Sequence, residues 1–508
     1  MRRRLFLMAA LAASLLAQPP QTGQRPKLVL AIVVDQFRYD YLTRFSPEFK
    51  GGLKRLMEQG AVFTNGNYEA APTVTAVGHS TFLTGAPPSI SGIAGNTWFE
   101  RSEGKNVQSI TDDAAMLLGG SGGGASPRRL LVSTVGDELK ISGWGGKVIG
   151  VSLKDRSAIL PAGRMADGAY WFDARGGGFV SSSYYFTVLP AWVAEFNATH
   201  AADKYAGQQW LTTKLPAQPG PQLYAAVDAT PFGDRLVLDF ALKTLVSEKM
   251  GTGTKTDLLA VSFSATDYVG HAAGPDSPQI HEMVLAVDKT VGDLLDAAER
   301  QAGVGNVLVA FTADHGVSPI PEENMARKLA GGRFNAQQER AAVETALKAE
   351  FGDGVYVTAT GELGLYLNLE LVASKKLDRR DVERLAAETL RKQPHVFRVY
   401  TRTEMQTGNG GDRIDQRVRN GFNSARSGDL VVVHEPSYLT GTSGTNHGSP
   451  FSYDTHVPMI FWGPPSMVRK GLYNRDAAVI DIAPTLTTIL RIAEPSGSVG
   501  RVLDEILP

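Results

Sequence analysis

Apolar runs that stop abruptly at a polar residue recur along this chain. Residues 27–34 are almost continuously apolar and end at Asp35, the pattern of a strand buried on both faces with a polar group at its carboxyl end. Residues 146–153 end at Lys154, 257–265 run on to Asp267, and 304–312 stop at Asp314-His315. A fifth run, 457–462, leads into Gly463-Pro464. Between these runs the apolar period lengthens to that of helices, over 51–59, 280–301 and 478–490. Strands alternating with helices predict an α/β fold with an open, mostly parallel central sheet flanked by helices. In such a sheet the ligand site lies beyond the carboxyl ends of the strands, where the polar residues just named sit.

Three stretches break the rhythm and predict insertions at about 100–130, 166–232 and 321–430. The first is rich in Gly and Ser, with 119–124 reading as a flexible loop. The second mixes Tyr170-Trp171-Phe172 and Tyr184-Tyr185-Phe186 with turn residues and reads as a cap over the site. The third has helical patterns at 337–350 and 379–392 and a strand pattern at 363–369, so it predicts a small α+β subdomain. Three arginines after Met1, an apolar run over 5–16 and a Pro/Gln/Gly-rich spacer have the layout of an export signal. Residues 1–18 are therefore expected to be a signal peptide and 19–26 a spacer, and the apolar run is short for a bilayer span.

Composition narrows the function. The chain has 508 residues, 43% of them apolar, enough for a large core. With 51 Lys plus Arg against 52 Asp plus Glu, the formal charge of −1 provides no global field for nucleic acid or for an anionic membrane. Small molecules are the expected partners, with no nucleic acid and no membrane anchor. The absence of cysteine excludes disulfides, a lipid-modified N-terminal Cys and thiolate chemistry. A periplasmic or secreted protein stabilised by packing and by metals is the expectation.

The chemistry gathers at the strand ends. Asp267 and His271 stand four apart just after a strand, Asp314-His315-Gly316 ends another, and His447 lies in a Gly/Ser/Thr/Asn loop before a third. Carboxylate oxygens and neutral imidazoles suit zinc, and their recurrence at several strand ends is less expected by chance than any one of them. The segment 71–85 begins with turn residues and continues as a helix. A hydroxyl at its start gains from free N–H groups and the dipole, but on local grounds Thr73 and Thr75 compete for that role. His79, four residues further on, reads as a packed structural histidine, and His456 is not needed as a ligand.

Taken together, the segments around Asp35-Gln-Phe-Arg, Pro-Thr-Val-Thr75-Ala-Val-Gly-His-Ser, Gly95-Asn96-Thr-Trp, Lys154-Asp-Arg156, Asp267-x3-His271, Asp314-His315-Gly316 and His447-Gly-Ser-Pro resemble the bacterial PafA-type alkaline phosphatases. The likeness spans about 27–492, within an expected alkaline phosphatase-like catalytic domain at 27–508. It implies two zinc ions, one held by Asp267, His271 and His447 and the other by Asp35, Asp314 and His315, with Thr75 also binding the second. It further implies that Thr75 is the nucleophile, transiently phosphorylated, and that Asn96, Lys154 and Arg156 bind the phosphoryl oxygens of small phosphate monoesters. A nucleotide pyrophosphatase or phosphodiesterase is the alternative within the superfamily. Two cations facing the phosphoryl group match a dianion better than a diester. A sulfatase is excluded, because the Cys/Ser-x-Pro-x-Arg arrangement is missing.

Overall fold

The computed structural model describes residues 25–362 and 364–508. The expected signal segment and most of the spacer lie outside that range. Arg25 and Pro26 are already tied to the body. The Arg25 guanidinium donates to the Leu490 carbonyl, and the Pro26 carbonyl accepts from the Thr256 hydroxyl.

A ten-stranded sheet forms the centre, in the spatial order Gly471–Tyr473, Ala61–Phe63, Met459–Trp462, Val307–Thr312, Leu28–Val34, Thr256–Phe263, Gly145–Ser152, Gly168–Asp173, Gly178–Ser182, Leu117–Leu118. The five strands from Val307–Thr312 to Gly168–Asp173 are mutually parallel. Most residues in them are buried on both faces, as their continuous apolar runs require. The chain reverses beside the central Leu28–Val34 strand, whose neighbours come from distant parts of the sequence. Such a reversal opens a crevice at the carboxyl ends.

Helices flank the sheet in two packed groups. Gly52–Gln59 and Pro231–Ser247 pack on the long helix Pro278–Ala302, while Asp155–Ala162 and Ile482–Leu490 pack on Thr75–Thr84. Pro278–Ala302 begins where the Ser277 hydroxyl accepts from the Ile280 N–H, and it buries Ile280, Val284, Val287, Val291 and Leu294 at helical spacing. Its buried Asp288 has a structural role, accepting N–H bonds from Lys50, Gly51, Leu53 and Lys54 at the start of Gly52–Gln59.

Two expectations are corrected. Met459–Trp462 runs antiparallel to Val307–Thr312, so the loop that precedes it, rather than Gly463-Pro464, lies at the carboxyl edge of the parallel strands. The stretch 166–232, expected as a cap, starts by extending the central sheet through Gly168–Asp173 and Gly178–Ser182. The aromatic residues of Gly168–Asp173 signal burial here. Tyr170 and Phe172 are buried in the main core with Phe179 and Phe240. The third stretch does form a layer of its own, with strands Val357–Gly361, Gly364–Leu367, Leu430–His434 and Val396–Thr401 side by side. Helices Ala336–Phe351 and Arg379–Arg391 cover it over a separate apolar core.

Candidate active site and metal centre

Strand register assembles the site. Val34 lies beside Phe263, Val33 beside Thr312 and Ser262 beside Ser152, so the residues that follow these positions leave the sheet together. Asp35, Asp267, Asp314, His315 and Lys154 are all buried there. Asp267 and His271 share one face of helix Ala265–Ala273, four residues apart. His447 enters from the loop before the antiparallel strand.

The three histidines present the same atom. Nδ1 of His271 bonds the Thr445 carbonyl, Nδ1 of His447 the Thr73 carbonyl, and Nδ1 of His315 the Gly316 carbonyl. Since a carbonyl only accepts, each ring carries its proton on Nδ1 and leaves the Nε2 lone pair free, which is how backbone partners orient metal ligands. Nε2 of His271 and Nε2 of His447 lie 3.2 and 3.6 Å from Asp267 Oδ1. Nε2 of His315 lies 3.5 Å from Asp35 Oδ1 and 3.4 Å from Asp314 Oδ2. Donors bound at about 2.0–2.1 Å around a tetrahedral centre stand roughly 3.3 Å apart, so both sets fit one small cation each.

Unpartnered atoms make the same point more sharply for the second set. Among the described residues, Asp35 Oδ1, Asp314 Oδ2 and His315 Nε2 are buried with no hydrogen-bond partner. Leaving such atoms unsatisfied costs on the order of 1–3 kcal/mol each, more for charged groups, and three on one spot call for a shared ligand. The carboxylate of Asp267 lies near both sets and groups by distance with Asp35 and His315 as well as with His271 and His447.

Charge completes the case for cations. Burial, then the Asp35 charge, pushes the Asp314 carboxyl well above the ordinary carboxylate range. Burial acts on Asp267 in the same direction, but Lys154, His271 and His447 outweigh it and hold that group well below the range. Burial depresses His315 to about 3 and takes His447 well below its ordinary value, so both rings stay neutral and able to coordinate. Three buried carboxylates with one buried ammonium leave negative charge that divalent ions would neutralise.

Lys154 departs in part from the role expected of it. Its Nζ donates to Asp35 Oδ2 at 2.7 Å and to Asp267 Oδ2 at 2.6 Å, because a buried ammonium needs paired acceptors. Two of its three N–H groups are thus engaged and one remains. Arg156 and Asn96 instead line an open cavity of about 520 Å³, together with Thr75, Asp267, His271 and His447. The Arg156 Nε is buried without a partner. Asn96 accepts the Ala76 N–H on its Oδ1 at 2.9 Å, which orients its NH2 donors away from the helix.

The structure separates the two threonines. Thr75 is the first residue of the helix Thr75–Thr84 and lines the cavity. The Thr73 hydroxyl is committed to the Ser449 carbonyl at 2.9 Å. His79 is fully buried between the Thr75 carbonyl and the Ser262 hydroxyl, and burial lowers its pKa to about 4, in keeping with a packing role. His456 lies outside the cluster, bonded to the Thr64 carbonyl and stacked on Tyr39.

Close approach at Gly78 sets the distance between the Thr75 helix and Asp314. A Cβ there would meet the Asp314 carbonyl oxygen at 2.2 Å and its own Cβ at 2.5 Å. Gly78→Ala is therefore expected to lower stability by about 1–3 kcal/mol through overpacking. Because the displaced groups belong to the site, kcat should also fall, by about 10²-fold, since angstrom shifts carry that cost. Thermal unfolding and steady-state kinetics on the same preparation check both effects.

Two positioning residues escaped the sequence reading. Gln36 follows Asp35 in the left-handed region, at φ 59°. Its N–H donates to Asp314 Oδ1 and its amide to Asp267 Oδ1, which ties the two groups of donors together. Asp454 accepts both the N–H and the hydroxyl of Ser449 and so braces the loop that carries His447. Only the position of Gln36 beside Asp35, and of Asp454 a few residues after His447, hinted at their roles.

Similarity to known proteins agrees with this geometry. A family described as type I phosphodiesterase/nucleotide pyrophosphatase matches residues 29–456. The sequence is 35% identical to alkaline phosphatase PafA of Elizabethkingia meningoseptica, over 97% of this chain and 96% of that protein. It is 36% identical to alkaline phosphatase PhoV of Synechococcus elongatus, over 96% and 94% respectively. The crystal structure of wild-type PafA aligns with a TM-score of 0.89 at 34% identity, covering 95% of this chain and 99% of that one.

Proposed function

The chain belongs to the type I phosphodiesterase/nucleotide pyrophosphatase family and is a PafA-type alkaline phosphatase, a phosphate monoester hydrolase; from that premise we propose that it acts with two zinc ions through a phosphorylated Thr75. The observation that carries this reading is the convergence of unpartnered Asp35, Asp314 and His315 atoms beside the Asp267, His271 and His447 set, at the cavity lined by Thr75. All-oxygen and nitrogen donors with neutral imidazoles favour zinc over calcium or magnesium. Bound there, two divalent ions supply Lewis-acid charge that lowers the pKa of a hydroxyl or water and stabilises a departing alkoxide.

The chain's own residues do the rest. Asn96 donates from its NH2, Lys154 from its third N–H and Arg156 from its guanidinium to the non-bridging phosphoryl oxygens, where charge must be held throughout the transfer. Thr75 Oγ bonds to phosphorus as the ester P–O bond breaks and the alcohol leaves. Water then attacks the phosphothreonine, the P–Oγ bond breaks, and inorganic phosphate is released with the hydroxyl restored. One water is consumed overall, with one hydrogen ending on the alcohol. Positive charge at the helix start favours the phosphorylated state.

Lys154 and Arg156 set the preference for monoesters in this reading, because a diester offers one fewer charged oxygen. Replacing either by Ala should reduce kcat/KM for a monoester by roughly 10²–10³-fold, and for a diester by less. Steady-state comparison of a monoester and a diester in wild type, Lys154→Ala, Arg156→Ala and the double variant tests this. Equal proportional losses would show that the cations do not discriminate and would favour the diesterase alternative. Export to the periplasm or medium is part of the proposal and rests on the basic-then-apolar pattern of residues 1–18. Among the described residues, no helix is long and apolar enough to cross a membrane.

A further inference from the structure

The cavity extends well past the phosphoryl-binding residues. From Thr75 and Arg156 it continues to the edge of the α+β subdomain, where Phe334, Val433, Leu439 and Phe451 line it. At about 520 Å³ it matches sites that enclose a whole organic ligand, far more than a phosphoryl group needs. The remainder has room for whatever is attached to the phosphorus, and in a monoester that is the alcohol.

Acids line the cavity at both ends, with Glu362 accepting the Asn96 N–H at the phosphoryl end, but cationic side chains do not. Among the described residues that line it, Arg156 is the only lysine or arginine, and it stands at the phosphoryl end. The far end carries Glu339 and Glu435. Glu339 pairs with His434 Nε2 at 2.8 Å and Glu435 with His395 Nδ1 at 3.1 Å, so the nearby imidazoles already serve these acids. His434 is also stacked on Phe334, with ring centroids 3.5 Å apart, which presents a flat, rigid wall. A second phosphate or a carboxylate on the alcohol would meet acids and apolar groups with no cation to receive it.

We infer that this enzyme selects phosphate monoesters whose alcohol is apolar or aromatic and carries no further anionic group. The inference rests on the monoesterase reading above and assigns the leaving-group half of the same cavity. Phe334, Leu439 and Phe451 gain by covering the alcohol, and Glu339 and Glu435 act against anionic competitors. Both attraction and repulsion thus contribute to selectivity.

Three substrates test it on the wild-type enzyme: ethyl phosphate, 3-phenylpropyl phosphate and 1,3-propanediol bisphosphate. Their alcohols differ mainly at or beyond the third carbon, so leaving-group reactivity is nearly constant. We expect kcat/KM for the phenylpropyl ester to exceed that for the ethyl ester about tenfold or more, the scale of a buried apolar group. The bisphosphate should fall below the ethyl ester by a similar factor. In Phe334→Ala the phenylpropyl-to-ethyl ratio should shrink towards one, and in Glu339→Gln the bisphosphate-to-ethyl ratio should rise. Equal kcat/KM for all three, or preference for the bisphosphate, overturns the inference while leaving the monoesterase reading intact. No turnover of any of them overturns both.

Discussion

Thr75→Ala should reduce phosphate monoester turnover by about 10⁴-fold or more while leaving the protein folded, and Thr75→Ser should stay within about tenfold of wild type. The side chain is only 1% exposed and begins the helix, so loss of its hydroxyl removes chemistry without opening a large core cavity. Serine keeps the hydroxyl and loses one methyl group. The covalent intermediate gives an independent readout: acid quenching during turnover, digestion and mass spectrometry should place the phosphate on Thr75. Phosphate on Thr73 would overturn the assignment, as would near wild-type turnover by Thr75→Ala. Thr73 is the informative control because both threonines occupy one peptide, yet the Thr73 hydroxyl is bonded to the Ser449 carbonyl. If Thr75→Ala retained a slow rate, water attacking phosphorus directly in the otherwise intact site would account for it, and no phosphopeptide would accumulate.

The central strands were legible because burial on both faces leaves little choice of residue. Leu28–Val34, Thr256–Phe263 and Val307–Thr312 read as apolar runs that break at ligand-type residues, and they stand adjacent in the sheet. Strand direction carries no such mark. The apolar run at Met459–Trp462 has the same appearance in either sense, and only its pairing with Val307–Thr312 reveals it as antiparallel. Aromatic residues misled for a related reason. Tyr170 and Phe172 satisfy a buried sheet strand as well as a cap, and the parallel pairing of Gly168–Asp173 with Gly145–Ser152 decides between them.

Within the site, residue types pointed to donors but could not show which donors lacked partners. The unpartnered state of Asp35 Oδ1 and Asp314 Oδ2, and the double engagement of Lys154, depend on side chains that come from separate strands. Gln36 illustrates the limit most clearly. Its side chain reaches Asp267, 231 positions away, into space kept open because position 270 is glycine: a Cβ there would lie 1.9 Å from Gln36 Oε1. No periodicity in either segment announces that contact. The far wall of the cavity has the same origin, since Phe334 and Val433 join it only through the fold of the subdomain.

Metal removal is expected to abolish activity and loosen the protein together. Exhaustive chelation should leave less than about 1% of phosphatase turnover, and added zinc should restore it, with about two zinc ions per chain measured on desalted, active enzyme. The stability effect follows from the charges that cations would neutralise: Asp35, Asp267 and Asp314 are buried together, and among the described residues Lys154 is the ammonium paired with the first two. A ligand that binds the native state at 100 times its dissociation constant stabilises it by about 2.7 kcal/mol, so the chelated protein should melt several degrees lower. Single substitutions then separate the two sets. Asp314→Asn should lower the measured metal towards one per chain and cut turnover about 10³-fold, because it alters the set that includes buried His315 and packs against Gly78 of the Thr75 helix. His271→Ala should deplete the other set, of whose two imidazoles it is the more exposed, at 36% against 6% for His447. Full activity after chelation, or one metal per active chain in the wild type, would overturn the two-zinc reading, whereas loss of both metals in either variant would mean that the sets bind as a single unit bridged by Asp267.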